Sequence, residues 1–66
     1  MKNYNGKEVK LMCVYTGIEK KLGDPVVNFR GEESVISSMR PPHKSSASGY
    51  VNNFYAGVYD LEYVEV

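Results

Sequence analysis

Glu8-Val9-Lys10-Leu11-Met12-Cys13-Val14-Tyr15 sets Val9, Leu11, Cys13 and Tyr15 at period two, with Lys10, Met12 and Val14 on the opposite face. That alternation is the signature of a half-buried β-strand, because successive side chains of an extended chain point to opposite faces. The rest of the chain has the same character. Six tyrosines, nine valines and two phenylalanines against two alanines form a strand-building composition, since β-branched and aromatic side chains pack well on a pleated surface.

Thr16-Gly17 ends this first strand, and residues 18–24 form a polar loop bounded by Gly17 and Gly23, too short for a stable helix. Pro25 opens a second strand over 26–29, where its missing N–H does least harm to a ladder. A turn centred on Gly31 leads into a third strand over 34–40, so the second and third strands read as a hairpin. Pro41-Pro42 stops the third strand, because neither residue donates a hydrogen bond. A fourth strand fits 50–55, Ala56-Gly57 breaks it, and a tight turn precedes a last strand over 62–66.

Five short strands with short turns, the last following a tight turn, predict an all-β fold: a small five-stranded antiparallel SH3-like barrel over residues 1–66 as a single domain. Closure of that kind removes the exposed edges a small sheet cannot protect. An open antiparallel sheet completed by a second copy is the alternative architecture. The expected core is Val9, Leu11, Val27, Phe29, Val35, Val51 and Leu61. At 66 residues the domain buries only roughly 60% of its unfolded surface, so that core is small.

Composition excludes several functions. A single cysteine, Cys13, permits no intrachain disulfide, and with the single histidine it falls short of the four ligands of a structural zinc site, so neither metal nor cofactor is expected. Cys13 reads as a small core residue. Eight Lys or Arg against eight Asp or Glu give zero formal charge, without the basic field of a protein that lives on phosphate backbones. Neutrality also favours association, leaving a homo-oligomer open. No apolar run approaches the about 18 residues of a membrane span, and residues 1–6 carry no signal-peptide core, so the expected compartment is the cytoplasm.

The candidate contact surface is the 40–49 loop, Arg40-Pro41-Pro42-His43-Lys44-Ser45-Ser46-Ala47-Ser48-Gly49, which gathers two cations, the histidine and three hydroxyls. Arg40, His43, Lys44, Ser45 and Ser46 are its candidate binding residues, with Tyr50 and Tyr55 beside them. Such a loop can hold phosphate through cationic groups and hydroxyl or amide donors, but glycines at the Walker positions are missing. The plain alternative is a proline-stiffened connection whose serines make local turns. His43 beside Ser45 and Ser46 lacks the buried acid, oxyanion hole and pocket that a serine nucleophile needs, so no enzymatic activity is expected. The tyrosines are too numerous for so small a core, and exposed aromatics mark interfaces; Tyr15, Phe54 and Tyr55 could line a shallow groove. Asp60, Glu62 and Glu65 read as the solvent face of the last strand.

The run 23–33, followed by 40–51 and then Phe54-Tyr55-Ala56-Gly57-Val58, resembles small accessory proteins encoded by tailed bacteriophages. The run Pro42-His43-Lys44-Ser45-Ser46-Ala47-Ser48-Gly49 is its most specific part, and the similarity spans 23–64. The resemblance implies a phage or prophage setting in a bacterial host cell and carries no catalytic residue with it. The expected function is therefore a non-enzymatic protein that binds another protein, host, defence or phage component, through the 40–49 loop and exposed tyrosines. The alternative is a small nucleic-acid-binding β-barrel with Lys20, Lys21, Arg30, Arg40 and Lys44 on phosphates.

Overall fold

The computed structural model describes residues 1–66. Eight short strands follow in order: β1 (Val9–Cys13), β2 (Glu19–Lys20), β3 (Pro25–Val27), β4 (Glu33–Val35), β5 (Met39–Arg40), β6 (Tyr50–Val51), β7 (Phe54–Tyr55) and β8 (Leu61–Glu65), with a 3-10 turn at Ala56–Tyr59 before β8. They form three small sheets, ordered β2-β1-β8, β3-β4 and β5-β6-β7, and every pairing between strands is antiparallel. No helix is long and apolar enough to cross a membrane.

The first and last strands make the frame. β1 pairs with β8 from Val9↔Glu65 to Cys13↔Leu61, and the period-two pattern of the opening stretch puts Val9 and Leu11 inside. Beyond Cys13 the alternation ends. The Gly17 amide, at φ +70°, reaches back to the Cys13 carbonyl, and the resulting turn leaves Tyr15 79% exposed instead of on the buried face. The chain then returns as β2, against Leu11 and Met12, where the sequence suggests only a loop.

The β3-β4 hairpin forms as expected but with its faces exchanged. Val26 and Ile36 are buried, while Val27, Phe29 and Val35, expected in the core, are all exposed. The runs Val26-Val27 and Val35-Ile36 offer apolar residues in both phases, and a one-residue choice sends every side chain to the other face. Backbone bonds make the choice: the Ile36 amide donates to the Asp24 carbonyl at 3.0 Å and the Gly23 amide to the Ile36 carbonyl at 2.8 Å. At the other end Asn28 Oδ1 accepts from the Arg30 and Glu32 amides, closing the turn.

Two of the expected five strands divide. The 34–40 segment bends at Ser37-Ser38 into β4 and β5, and Asn52 fastens the corner: its Oδ1 accepts from the Ser37 amide at 2.7 Å, the Ser37 hydroxyl at 2.9 Å and the Ser38 amide at 3.2 Å, while its Nδ2 donates to the Val35 carbonyl at 2.8 Å. The 50–55 segment folds on itself as the hairpin β6-β7. Asn52 and Asn53 take φ 53° and 68°, the left-handed pair of a two-residue hairpin turn, a conformation asparagine tolerates better than most residues.

All three sheets share one core of Leu11, Val26, Ile36, Val51, Ala56, Tyr59 and Leu61. Val9, Leu11, Val51 and Leu61 thus occupy the interior as the sequence suggests; Ile36, Val26, Ala56 and Tyr59 complete it in place of the three exposed residues.

Candidate functional site

The asparagine turn organises the surface above the β5-β6-β7 sheet. Asn53 Oδ1 accepts from Arg40 Nη2 at 2.7 Å, and this bond holds the guanidinium over the Tyr50 ring, 5.4 Å from its centroid. Tyr50 lies opposite Tyr55 across β6-β7, so the two rings share a face and stack with centroids 5.2 Å apart and planes 23° from parallel. Arg40, Tyr50 and Tyr55 therefore form a three-layer stack.

Tyr63 of β8 supports this stack from beneath. Its hydroxyl donates to the Tyr50 carbonyl at 2.7 Å, and burial pushes its phenol up to about 12, against a smaller opposing effect of the Arg40 backbone. Gly49, just before Tyr50, is buried with φ +86°, and a Cβ there would meet the Tyr63 ring at 2.6 Å. The chain passes so close to the ring that only glycine fits.

The 40–49 loop divides. Arg40, Tyr50 and Tyr55 come together, whereas His43, Lys44, Ser45 and Ser46 are exposed and no hydrogen bond joins their side chains to one another or to the rest of the chain. One backbone bond, the Ala47 amide to the Lys44 carbonyl at 3.1 Å, closes a local turn among them. The loop thus fits the plain alternative of a solvated connection.

A second aromatic group includes Phe54, which pairs with Val51 on the face of β6-β7 opposite the stack. Phe29, Phe54, Val58 and Tyr59 line a cleft of about 280 Å³, with Asn28, Arg30 and Glu32 at its rim. Phe54 meets Tyr59 edge-on at 6.5 Å, and the Phe29 amide donates to the Val58 carbonyl at 3.0 Å, tying the β3-β4 turn to the 3-10 turn. Of the groove residues expected, only Phe54 lines this cleft. Tyr15 lines a separate depression with Cys13 and Tyr59. Phe29 and Arg30 join the site because the hairpin exposes the face expected inside; the doubled valines of 26–27 were the signal that either face could turn outward.

Cys13 is partly buried against the core, and the Thr16 hydroxyl, with the Thr16 and Tyr15 amides, holds its thiol below the ordinary range. The one salt bridge joins the Met1 amino group to Glu8 at 2.9 Å and lowers the Glu8 carboxyl. No protein-family model matches the chain, and neither a curated protein nor a solved structure does.

Proposed function

We propose that this chain is a non-enzymatic, phage-type accessory protein that binds another protein in the cytoplasm of a bacterial host. Its contact surface centres on the Arg40-Tyr50-Tyr55 stack and extends into the 40–49 loop, whose residues 43–46 are exposed. The observation that carries this reading is the stack itself. Tyrosine and arginine dominate the energetic centres of protein interfaces, and groups already held in place lose little freedom on binding. Here Asn53 fixes the guanidinium and Tyr63 fixes the backbone under Tyr50.

The proposed architecture is an SH3-like barrel split into three short sheets. Its support is the shared core and the order of elements at the end of the chain, where a 3-10 turn feeds a last strand that pairs with the first. The resemblance of 23–64 to tailed-phage proteins supplies the setting.

A partner pulled from bacterial lysate tests the function. Tyr55→Ala or Arg40→Ala should weaken it by roughly 1 to 2 kcal/mol, with binding indifferent to nuclease. Retention by both variants refutes the stack as the contact. The stack also has the form of a stacking platform for single-stranded nucleic acid, which is the second reading. It requires affinity to fall with salt at a log–log slope of about −0.7 per phosphate contact, and a shallower slope on removing Arg40 or Lys44.

A further inference from the structure

The β3-β4 sheet has an open side. It holds only these two strands, and the chain turns away at Ser37-Ser38 into β5, a corner held by Asn52, so no strand lies along the outer edge of β4. Bonded and non-bonded pairs alternate along an antiparallel ladder. The Asn28 amide donates to the Glu32 carbonyl and the Ile36 amide to the Asp24 carbonyl, which makes Val26 and Ser34 the bonded pair between them; Glu33 and Val35 therefore turn their amides and carbonyls to the open side. Of these groups only the Val35 carbonyl is taken, by Asn52 Nδ2 at 2.8 Å and Ser34 Oγ at 3.4 Å. On the outward face of the sheet Pro25 lies across from Val35 and Val27 across from Glu33. All four side chains are exposed, and Glu33 has no cationic partner, since the single salt bridge joins Met1 to Glu8.

We propose that β4 takes a third strand from a partner protein: an extended segment, antiparallel to β4, with a lysine or arginine across from Glu33 and, two residues before it, a β-branched apolar side chain across from Val35. The Glu33 amide, the Glu33 carbonyl and the Val35 amide supply the main-chain bonds. In this mode of recognition the backbone gives affinity and alternate side chains give specificity. The partner's cation continues the row Val27-Glu33 and neutralises its end, while the apolar residue continues the row Pro25-Val35 and covers its exposed flank. The residue between them falls on the other face, across from Ser34, which is exposed to water. A second copy of this chain fits less well. In a two-fold pair of β4 with itself, one in-phase register sets Glu33 against Glu33, and the others call on the Val35 carbonyl of both copies, where two donors already sit. The edge uses no residue of the Arg40-Tyr50-Tyr55 stack and is a separate contact from it.

The test is an NMR titration of the ¹⁵N-labelled full chain with three end-blocked peptides: Thr-Val-Thr-Lys-Thr, its counterpart with glutamate for the lysine, and the same lysine peptide methylated on the lysine backbone nitrogen. The lysine peptide should shift the amides of Glu33 and Val35 most and bind about three- to tenfold tighter than the glutamate peptide. Methylation keeps the charge but removes the N–H that donates to the Glu33 carbonyl, and should weaken binding about threefold or more. Glu33→Lys, at an exposed position, should reverse the preference between the two charges, whereas Tyr55→Ala should leave it unchanged. Equal affinity for the lysine and glutamate peptides, unchanged affinity on methylation, shifts centred on Tyr50 and Tyr55, or no binding at millimolar peptide overturns the proposal. Glu33 and Val35 amides that shift with protein concentration alone assign the edge to a second copy and overturn it as well.

Discussion

Gly49→Ala should be among the most damaging single-methyl changes this chain can suffer. The added Cβ would lie 2.6 Å from two carbons of the Tyr63 ring and 2.9 Å from the Arg40 carbonyl oxygen, at a backbone φ of +86°. The left-handed backbone costs a residue with a Cβ about 1–2 kcal/mol. Forcing a methyl into an occupied site adds about 1–3 kcal/mol, because the Arg40 carbonyl belongs to a paired strand and the ring is tethered by its hydroxyl. The sum, about 2–5 kcal/mol, compares with a whole-domain stability of about 3–10 kcal/mol for 66 residues. Urea denaturation followed by tyrosine fluorescence reads it directly. With a slope near 1 kcal/mol per molar, the midpoint should fall by about 2 M or more. Gly31→Ala is the control: φ is +80° and a Cβ there would meet nothing within 4 Å, so only the backbone cost applies. Equal losses in the two variants would refute the close approach of Tyr63 to Gly49. Adding Tyr63→Ala to Gly49→Ala should cost less than the two changes separately, since it removes the obstacle that the methyl meets.

The exchanged faces of the β3-β4 hairpin predict that Ile36→Asp unfolds the domain, since an unpaired buried charge costs several kcal/mol, whereas Phe29→Asp leaves the circular dichroism spectrum and melting curve nearly unchanged; the opposite result would restore the discarded register. Tyr63 predicts an alkaline limit. Its phenol is raised from 10 to about 12, so the fold favours the protonated form; that stability is whole below pH 10 and is lost as pH rises through about 12. Tyr63→Phe should cost about 1 kcal/mol at neutral pH, through the bond lost to the Tyr50 carbonyl, and should flatten this part of the stability profile; an unchanged alkaline limb in the variant would show that Tyr63 is not its source.

Local chemistry made much of this molecule legible from the chain alone. The period of residues 8–15, the proline at 25, the glycine turn at 31 and the proline pair at 41–42 are local constraints, and each acts wherever the segment lies. They suffice for an all-β, antiparallel reading, for the β3-β4 hairpin, and for Val9, Leu11, Val51 and Leu61 inside. Residues 43–46 were legible as polar and exposed for the same reason. Tertiary structure decided what the local pattern left degenerate. The doublets Val26-Val27 and Val35-Ile36 satisfy either face of a strand, and long-range closure through Asp24, Ile36 and Asn52 selects one. That selection exposes Phe29 and builds the aromatic cleft. Asn52-Asn53 reads as the middle of one strand until φ turns positive at both residues, and that reversal brings Tyr50 onto Tyr55, while the β5-β6 pairing and Asn53 bring Arg40 onto Tyr50. The strand pattern comes from chemistry along the chain, whereas the candidate site comes from contacts the strand pattern does not contain, from Tyr50 with Tyr55 and Arg40 with Tyr50 to Arg40 with Asn53 and Tyr50 with Tyr63.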